Sequence, residues 1–325
     1  VVLLSVPALQ PLLGSELTCG YDNQLHLWRA IEADALLESG IFFSRWQPHM
    51  ALGFGYPLHT FHPPGSALLA ALIHRAGLNW EVAVNAVFAL GTLLAALTMW
   101  LLVREWYGDL AGVVAGVVLT TMPFHTYVVY HRGSMSEALA WAFPPLILWG
   151  LIRWQLHRQR VGLVAAAGGL AAMLLTHDAS TYLFLPMALT ACLALAFAQR
   201  SKQALGHGVL ALALGLGLAA FFWAASVLER SDVQFGRVTA YPYAASFVAL
   251  DYLLEAPRAF DASLVNPWLP KGIGLLAAAL SLAAVGAWVR AGRAERIWLA
   301  GIAVVTAGCV WLALPYAWPV WRAIP

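Results

Sequence analysis

Long apolar runs recur along the whole chain, and they constrain its fold more than any other feature. Because the hydrocarbon layer is about 30 Å thick, a helix needs about 20 apolar residues to cross it. Candidate spans are 1–13, 80–103, 110–130, 137–153, 161–176, 180–198, 204–228, 271–290 and 297–314. Only 10% of the 325 residues are charged, whereas soluble domains carry about 25%. The sequence therefore predicts an all-α, polytopic transmembrane bundle with about nine spans.

Short basic turns give this bundle an orientation, because Arg and Lys favour the cytoplasmic side. They fall at the same end of the predicted spans: Arg104; Arg153, Arg158 and Arg160; Arg200 and Lys202; Arg290, Arg293 and Arg296. The run 65–76 is too short to cross, so we expect an amphipathic helix on the outer surface. This arrangement makes 14–79 the first outer loop and 229–270 a second long outer loop. Residues 1–325 then form one transmembrane domain, which we expect to be truncated at both ends.

The first outer loop contains a polar segment, 20–64, and its first candidate residues are Asp22 and His26. If 22–38 is a helix, then Asp22, His26 and Arg29 share one face at i, i+4 and i+7. This pattern is typical of a helix on the membrane with its polar face turned to water or to a cleft. Asp22 is a candidate general base, and His26 could orient it or join it on a metal. The alternative is that Asp22 caps the helix.

The stretch GFGYPLHTFHPP, 53–64, offers further candidates. Its glycines and prolines favour tight, stiff turns, and Tyr56, His59 and His62 could line a substrate groove. The alternative is an interfacial loop anchored by its aromatic residues, with its histidines simply hydrogen-bonded.

The loop HRGSMSE, 131–137, brings an arginine and a carboxylate to the outer surface. Arg132 suits an anionic head group, and Glu137 could be a second carboxylate in the cleft. The alternative is a capping box, in which Ser134 and Glu137 open the next helix.

Two more outer segments carry candidate residues. In THDAS, 176–180, His177 and Asp178 could supply a metal ligand or acid/base chemistry, unless Asp178 caps the following span. In the loop 229–270, Arg237 and Arg258 lie among tyrosines, a composition that suits a sugar or a lipid phosphate. The alternative for this loop is a surface helix with solvated charges.

Several of these elements together resemble a known group of bacterial membrane proteins. The outward Asp22 with His26 four residues on, Arg45-Trp46-Gln47-Pro48, GFGYP and HPP are similar to the family described as 6-pyruvoyl-tetrahydropterin synthase related. The stretch 131–149 resembles its Arg-Gly-x-x-x-Glu element before a proline-containing span. More broadly, the pattern resembles GT-C glycosyltransferases, with residues 20–150 carrying most of the likeness. Nothing resembles a soluble pterin enzyme.

This resemblance implies an inverting glycosyltransferase of the bacterial cytoplasmic membrane with its active face outward. The donor would be a polyprenyl-phosphate-linked sugar held in the bilayer, and no nucleic acid would be involved. Asp22 would act as general base, Glu137 as the second catalytic acid, and Arg132 with Arg237 or Arg258 would balance the departing phosphate. The first loop departs from the family pattern because it has no Asp-x-Asp pair: its one Glu-x-Asp, Glu32 and Asp34, lies in the predicted surface helix well after Asp22. This departure argues against a required divalent metal, although one could still bind.

Three alternatives stay open. A transporter or flippase would need polar residues along a path through the bilayer, but 82–100 and 161–175 contain no ionisable residue. A membrane acyltransferase or hydrolase would use His26 or His177 with a neighbouring acid. A non-catalytic scaffold for envelope assembly would tolerate replacement of Asp22.

Overall fold

The computed structural model describes residues 1–232, 247–254, 263 and 272–323, and helices dominate these ranges. The helices are α1 (Val2–Ser5), α2 (Asn23–Glu38), α3 (Leu58–Phe61), α4 (Gly65–Arg75), α5 (Trp80–Thr121), α6 (Pro123–Thr126), α7 (Met135–Ala140), α8 (Phe143–Gln155), α9 (Arg160–Thr176), α10 (Asp178–Gln199), α11 (Lys202–Leu218), α12 (Ala220–Leu228), α13 (Leu250–Leu254), α14 (Leu275–Arg290), α15 (Arg293–Ala313) and α16 (Trp318–Ala323). A π-helical segment, Tyr127–Arg132, joins α6 to α7. The 3-10 segments are Val6–Leu13, Arg230–Asp232 and Pro315–Ala317.

Four of these helical segments are long and apolar enough to cross a membrane, which confirms the all-helical membrane class. They are α5, the combined α7 and α8, α10 and α15. A fifth candidate is the pair α11 and α12, which bends by 74° at its break. The apolar helices α9 and α14 and the segment Val2–Leu13 are shorter. The described helices therefore support four or five spans, fewer than the nine that the apolar runs predict.

The longest helix, α5, folds back on itself at Gly108. This residue has φ 82° and ψ 173°, a backbone conformation that interrupts a helix and that glycine adopts without steric cost. A Cβ built on Gly112 would lie 2.7 Å from Trp100 Cδ1, and one on Gly116 would lie 2.6 Å from the carbonyl oxygen of Ala96. The two arms of α5 are thus antiparallel. The first arm contains the predicted span 80–103, whereas the second ends at Thr121 and is too short to cross alone, so the predicted span 110–130 is not one continuous helix.

The predicted basic turns gather at one end of the bundle, which we call the basic end. Arg153 Nη2 lies 2.9 Å from Glu105 Oε2, and His157 Nε2 lies 3.3 Å from the other oxygen of the same carboxylate. The rings of Trp106 and Trp298 pack edge to face with centroids 5.5 Å apart. These contacts tie the turn of α5, the end of α8 and the start of α15 together.

The opposite end, which we call the site end, is closed by α2, α3 and α4. As predicted, the run 65–76 forms a short helix, α4, but this helix is packed between other elements. Its Ser66 Oγ lies 2.6 Å from Ser136 Oγ in α7, and its Arg75 pairs with Asp34 in α2. Its Ala70 and Ala71 are fully buried. The small side chains let α2 and α4 approach the bundle closely, and this positions the polar face of α2 over the ends of α7 and α9.

Candidate functional site

The segment before α2 is joined through its backbone to the turn after the π-helical segment. The amide of Tyr21 donates to the carbonyl of His131 over 3.0 Å, and the amide of Asp22 donates to Arg132 over 2.8 Å. The approach is so close that a Cβ on Gly20 would lie 2.6 Å from the Cα of Gly133. Two loops that the sequence places more than 100 residues apart therefore form one surface.

Arg132 lies between the two carboxylates for which the sequence predicts a catalytic role. Its Nη1 is 2.5 Å from Glu137 Oε2, and its Nε is 3.8 Å from Asp22 Oδ2. The side chain of Asp22 is 41% exposed, while that of Glu137 is 11% exposed. An accessible carboxylate held by a guanidinium can accept a proton from a bound hydroxyl group. The buried carboxylate of Glu137 contacts the Arg132 guanidinium through Nη1, on the side away from Asp22 Oδ2 at Nε.

The capping alternatives for both acids are wrong in this structure. Asp22 precedes α2, but its side chain accepts no capping hydrogen bond. Ser134 precedes α7 without a side-chain capping bond either, and Glu137 is engaged with Arg132. Both carboxylates are therefore available to the surface between the loops instead of serving helix ends.

Two histidines lie behind this surface, next to Arg29. His26 is 3% exposed and its Nδ1 has no hydrogen-bond partner. Arg29 Nη1 lies 2.9 Å from His62 Nε2. Burial, followed by the charge of Arg29, lowers the pKa of His26 to about 3 and that of His62 to about 2. Both rings are therefore neutral at neutral pH.

His177 approaches the same group from the start of α10. Its Nδ1 accepts a hydrogen bond from the amide of Ser180 over 3.2 Å, so the proton of the neutral ring is on Nε2. Burial and the nearby Arg132 lower the pKa of His177 to about 4. The predicted capping role of Asp178 is thus taken by His177, while the Asp178 side chain bonds only the adjacent amide of Ala179 over 2.9 Å.

The stretch 53–64 contributes unequally to the site. Tyr56 closes a two-residue antiparallel bridge with Gln47, and its phenol lies close enough to Arg29 to interact with its charge. His59 is buried and donates from Nδ1 to the carbonyl of His62 over 2.8 Å. His59 thus acts as a hydrogen-bonded support, the alternative given above, whereas His62 faces Arg29.

The remaining predictions concern Arg237, Arg258 and a metal. Both arginines lie outside the described residues. Within 1–232, 247–254, 263 and 272–323, no three His, Cys, Asp or Glu side chains come together in a way that could hold a metal ion. Glu32 and Asp34 have other partners: Glu32 accepts from the amide of His49 over 3.0 Å, and Asp34 pairs with Arg75.

Sequence reasoning missed the importance of Arg29 and Gly20. Arg29 shares a helix face with Asp22 and His26, and that spacing was the signal that could have assigned it a role. Gly20 carried no signal, since its close approach to Gly133 depends on a contact between distant segments.

An apolar groove of about 620 Å³ runs along the two arms of α5 and against α14. Its walls include Met99 and Tyr107 on the first arm, Val118 and Met122 on the second, and Leu280 on α14. Met122 lies at the site end of its arm, directly before α6. The groove therefore extends from the basic end, where Tyr107 lies, to Met122 beside α6, the element that precedes the segment with Arg132.

Comparison with known proteins places the chain beside one without an assigned activity. No family model matches the sequence. An uncharacterized protein of Lactococcus lactis subsp. cremoris (strain MG1363) is 24% identical over 232 residues, which cover 68% of this chain and 38% of that protein. The chain thus spans well under half the length of that relative.

Proposed function

We propose that this chain is the membrane domain of an inverting glycosyltransferase that uses a polyprenyl-phosphate-linked sugar. The observation that carries the proposal is the Asp22–Arg132–Glu137 arrangement, in which an exposed carboxylate is held by a guanidinium that a buried carboxylate fixes from behind. This arrangement presents one base to solvent beside the turn that carries Arg132. The same proposal includes a GT-C-like fold with nine crossings and membership of the 6-pyruvoyl-tetrahydropterin synthase related group.

In the reaction, the Asp22 carboxylate takes the proton of the acceptor hydroxyl as the hydroxyl oxygen attacks the anomeric carbon. The new bond between this oxygen and the anomeric carbon forms while the bond to the phosphate oxygen breaks. The electron pair leaves with the polyprenyl phosphate, and the single displacement inverts the anomeric centre. Arg132 orients Asp22 and adds positive potential on the side where negative charge develops.

The apolar groove supports a lipid-linked donor over a soluble one. A polyprenyl tail is a branched hydrocarbon, and a groove of about 620 Å³ with apolar walls can take several of its units. Because Met122 is at the site end, a tail in the groove would leave its phosphate among the polar groups there.

The positions of the charged turns support an outward-facing site. Arg153 and its partner Glu105 lie at the basic end, together with the other basic turns, and Asp22 lies at the opposite end. If the basic end faces the cytoplasm, then the site faces the outside of the bacterial cytoplasmic membrane. A sugar donor delivered to the outer leaflet would then reach it directly.

The test is transfer from a panel of radiolabelled polyprenyl-phosphate sugars to endogenous acceptors in membranes that contain the protein. We expect Asp22→Asn to reduce transfer by at least about 100-fold, the usual contribution of a general base, without loss of folded protein. Asp109→Asn is the matched control, because Asp109 pairs with Arg104 at the basic end. Transfer by Asp22→Asn at the wild-type rate would refute the proposal.

A further inference from the structure

The site end contains two arginines whose surroundings differ in one decisive respect. Arg132 is paired with Glu137 at 2.5 Å and lies 3.8 Å from Asp22. Arg29 has no carboxylate within 4.0 Å among the residues that the structure describes, although Asp22 is near enough to influence its charge. Its one side-chain hydrogen bond is to a ring nitrogen of His62. The charge of Arg29 is therefore not cancelled by direct contact.

The partner of Arg29 is a neutral acceptor. An arginine can only donate hydrogen bonds, so Nε2 of His62 accepts and the ring proton is on Nδ1. Protonation of His62 would bring two cations to 2.9 Å, and burial adds to this penalty. His62 thus fixes the direction of the guanidinium through Nη1 without neutralising it.

The rest of the guanidinium is unused. Within the described part of the chain, Arg29 Nε is buried and has no hydrogen-bond partner, and Nη2 makes no hydrogen bond either. Next to it, His26 is 97% removed from solvent, since only 3% of its surface is exposed, and its Nδ1 is also without a partner. Burying such groups without partners is unfavourable, so their arrangement is stabilised when a ligand supplies hydrogen-bond partners.

We propose that Arg29, with His26 and His62 beside it, binds the phosphate group of a phosphate ester, at a subsite separate from the Arg132–Glu137 pair. The Nε and Nη2 edge of a guanidinium matches two oxygens of a phosphate group. In Arg29 the Nε of this edge is buried without a hydrogen-bond partner among the described residues, while His62 contacts Nη1 instead. The phenol of Tyr56 is near enough to Arg29 to interact with it electrostatically. As an account of the donor's phosphate, the inference rests on the proposed function.

Binding, measured separately from transfer, tests this assignment. The probes are inorganic phosphate, added to the protein in detergent, and a polyprenyl monophosphate in nanodiscs that hold the full chain. We expect Arg29→Gln to weaken the binding of a probe at least 10-fold by microscale thermophoresis. The matched control is Arg75→Gln on the neighbouring α4, which removes an arginine that pairs with Asp34; we expect a change of less than twofold.

The two probes identify the source of the phosphate. If Arg29→Gln binds both probes more weakly, the phosphate group alone is recognised. If it binds only the polyprenyl monophosphate more weakly, the subsite recognises a lipid headgroup. If the wild type binds neither probe, or if Arg132→Gln loses binding while Arg29→Gln keeps it, then the inference is wrong. Should Arg29→Gln fail to fold, Arg29→Lys is the second variant, because it keeps the positive charge but lacks the two-donor edge of the guanidinium. Undiminished binding of the probes by Arg29→Lys would overturn the assignment.

Asp22→Asn separates this inference from the proposed function. Removing that carboxylate leaves the Arg29 subsite intact, so we expect phosphate binding to be unchanged or tighter. Normal binding by Arg29→Gln together with lost transfer by Asp22→Asn would end the subsite and leave the enzyme proposal standing. Weakened phosphate binding by Arg29→Gln together with normal transfer by Asp22→Asn would instead exclude the catalytic role of Asp22 and support the subsite.

Discussion

The basic end and the site end of the bundle use similar residues in opposite ways. At the basic end, the buried side chain of Glu105 contacts both Arg153 and His157, so the guanidinium of Arg153 has a carboxylate in direct contact. At the site end, among the residues that the structure describes, Arg29 has only a neutral ring as its hydrogen-bond partner, and His26 has none on Nδ1. Compensated charge stabilises a turn, whereas uncompensated polar groups favour a ligand. The difference indicates that one end serves folding and orientation and the other serves binding.

Replacing one buried glutamate at each end should break this comparison most strongly. Glu105→Gln leaves the Arg153 guanidinium without its carboxylate, and we expect a loss of about 3 kcal/mol of stability without a change in glycosyl transfer. Glu137→Gln should cost only about 1 kcal/mol, because Arg132 is 42% exposed and retains Asp22, but it should reduce transfer at least 10-fold. Unfolding temperature in detergent and transfer in membranes measure both effects.

The opposite pattern, with lost transfer in Glu105→Gln and full transfer in Glu137→Gln, would show that the division between the two ends is wrong. Equal loss of stability in both variants would remove the evidence that Arg132 has a second partner.

Gly20→Ala tests the backbone contact that builds the site end. Its new methyl group would lie 2.6 Å from the Cα of Gly133, and backbone atoms cannot give way as a side chain can. We expect a loss of about 2–3 kcal/mol and a larger loss of transfer, since Asp22 would move away from Arg132. Gly14→Ala is the control: its methyl group would meet nothing closer than 3.8 Å. An unfolding temperature and transfer rate for Gly20→Ala equal to those of Gly14→Ala would contradict the contact.

The neutral histidines predict that stability depends on pH. The pKa values of His26, His62 and His177 are lowered from 6.5 to about 3, 2 and 4. Below pH 6.5 the unfolded chain therefore takes up protons that the folded chain does not, so stability is fully present above pH 6.5 and falls with pH. We expect each ring to account for a loss of about 2–3 kcal/mol of stability between pH 7 and pH 4.5, and the three losses act in the same direction.

His62→Gln should flatten this dependence, as seen in the unfolding temperature across that pH range. His157→Gln, at the basic end with a half-exposed side chain, should leave it unchanged. A steeper dependence in His62→Gln than in the wild type would mean that the neutral form of this ring is not the one that stabilises the fold.

The helices themselves were predictable where apolar runs have clear limits. The predicted runs 161–176 and 180–198 correspond to α9 (Arg160–Thr176) and α10 (Asp178–Gln199). The predictions were accurate here because hydrophobicity and the need to pair backbone groups act locally. The span count was less predictable: the run 204–228 is split by a 74° bend between α11 and α12, which no apolar pattern encodes.

The sequence by itself determined that this is a helical membrane protein, that its basic turns share one end, and that Asp22, His26 and Arg29 share a face of α2. Only the tertiary structure decided which arginine is neutralised and which is left with unused donors. The reason is the sequence separation over which each kind of interaction acts. Hydrophobic spans are set by neighbouring residues, whereas the partner of Arg132 and the neutral ring beside Arg29 depend on contacts between segments that fold together from separate parts of the chain.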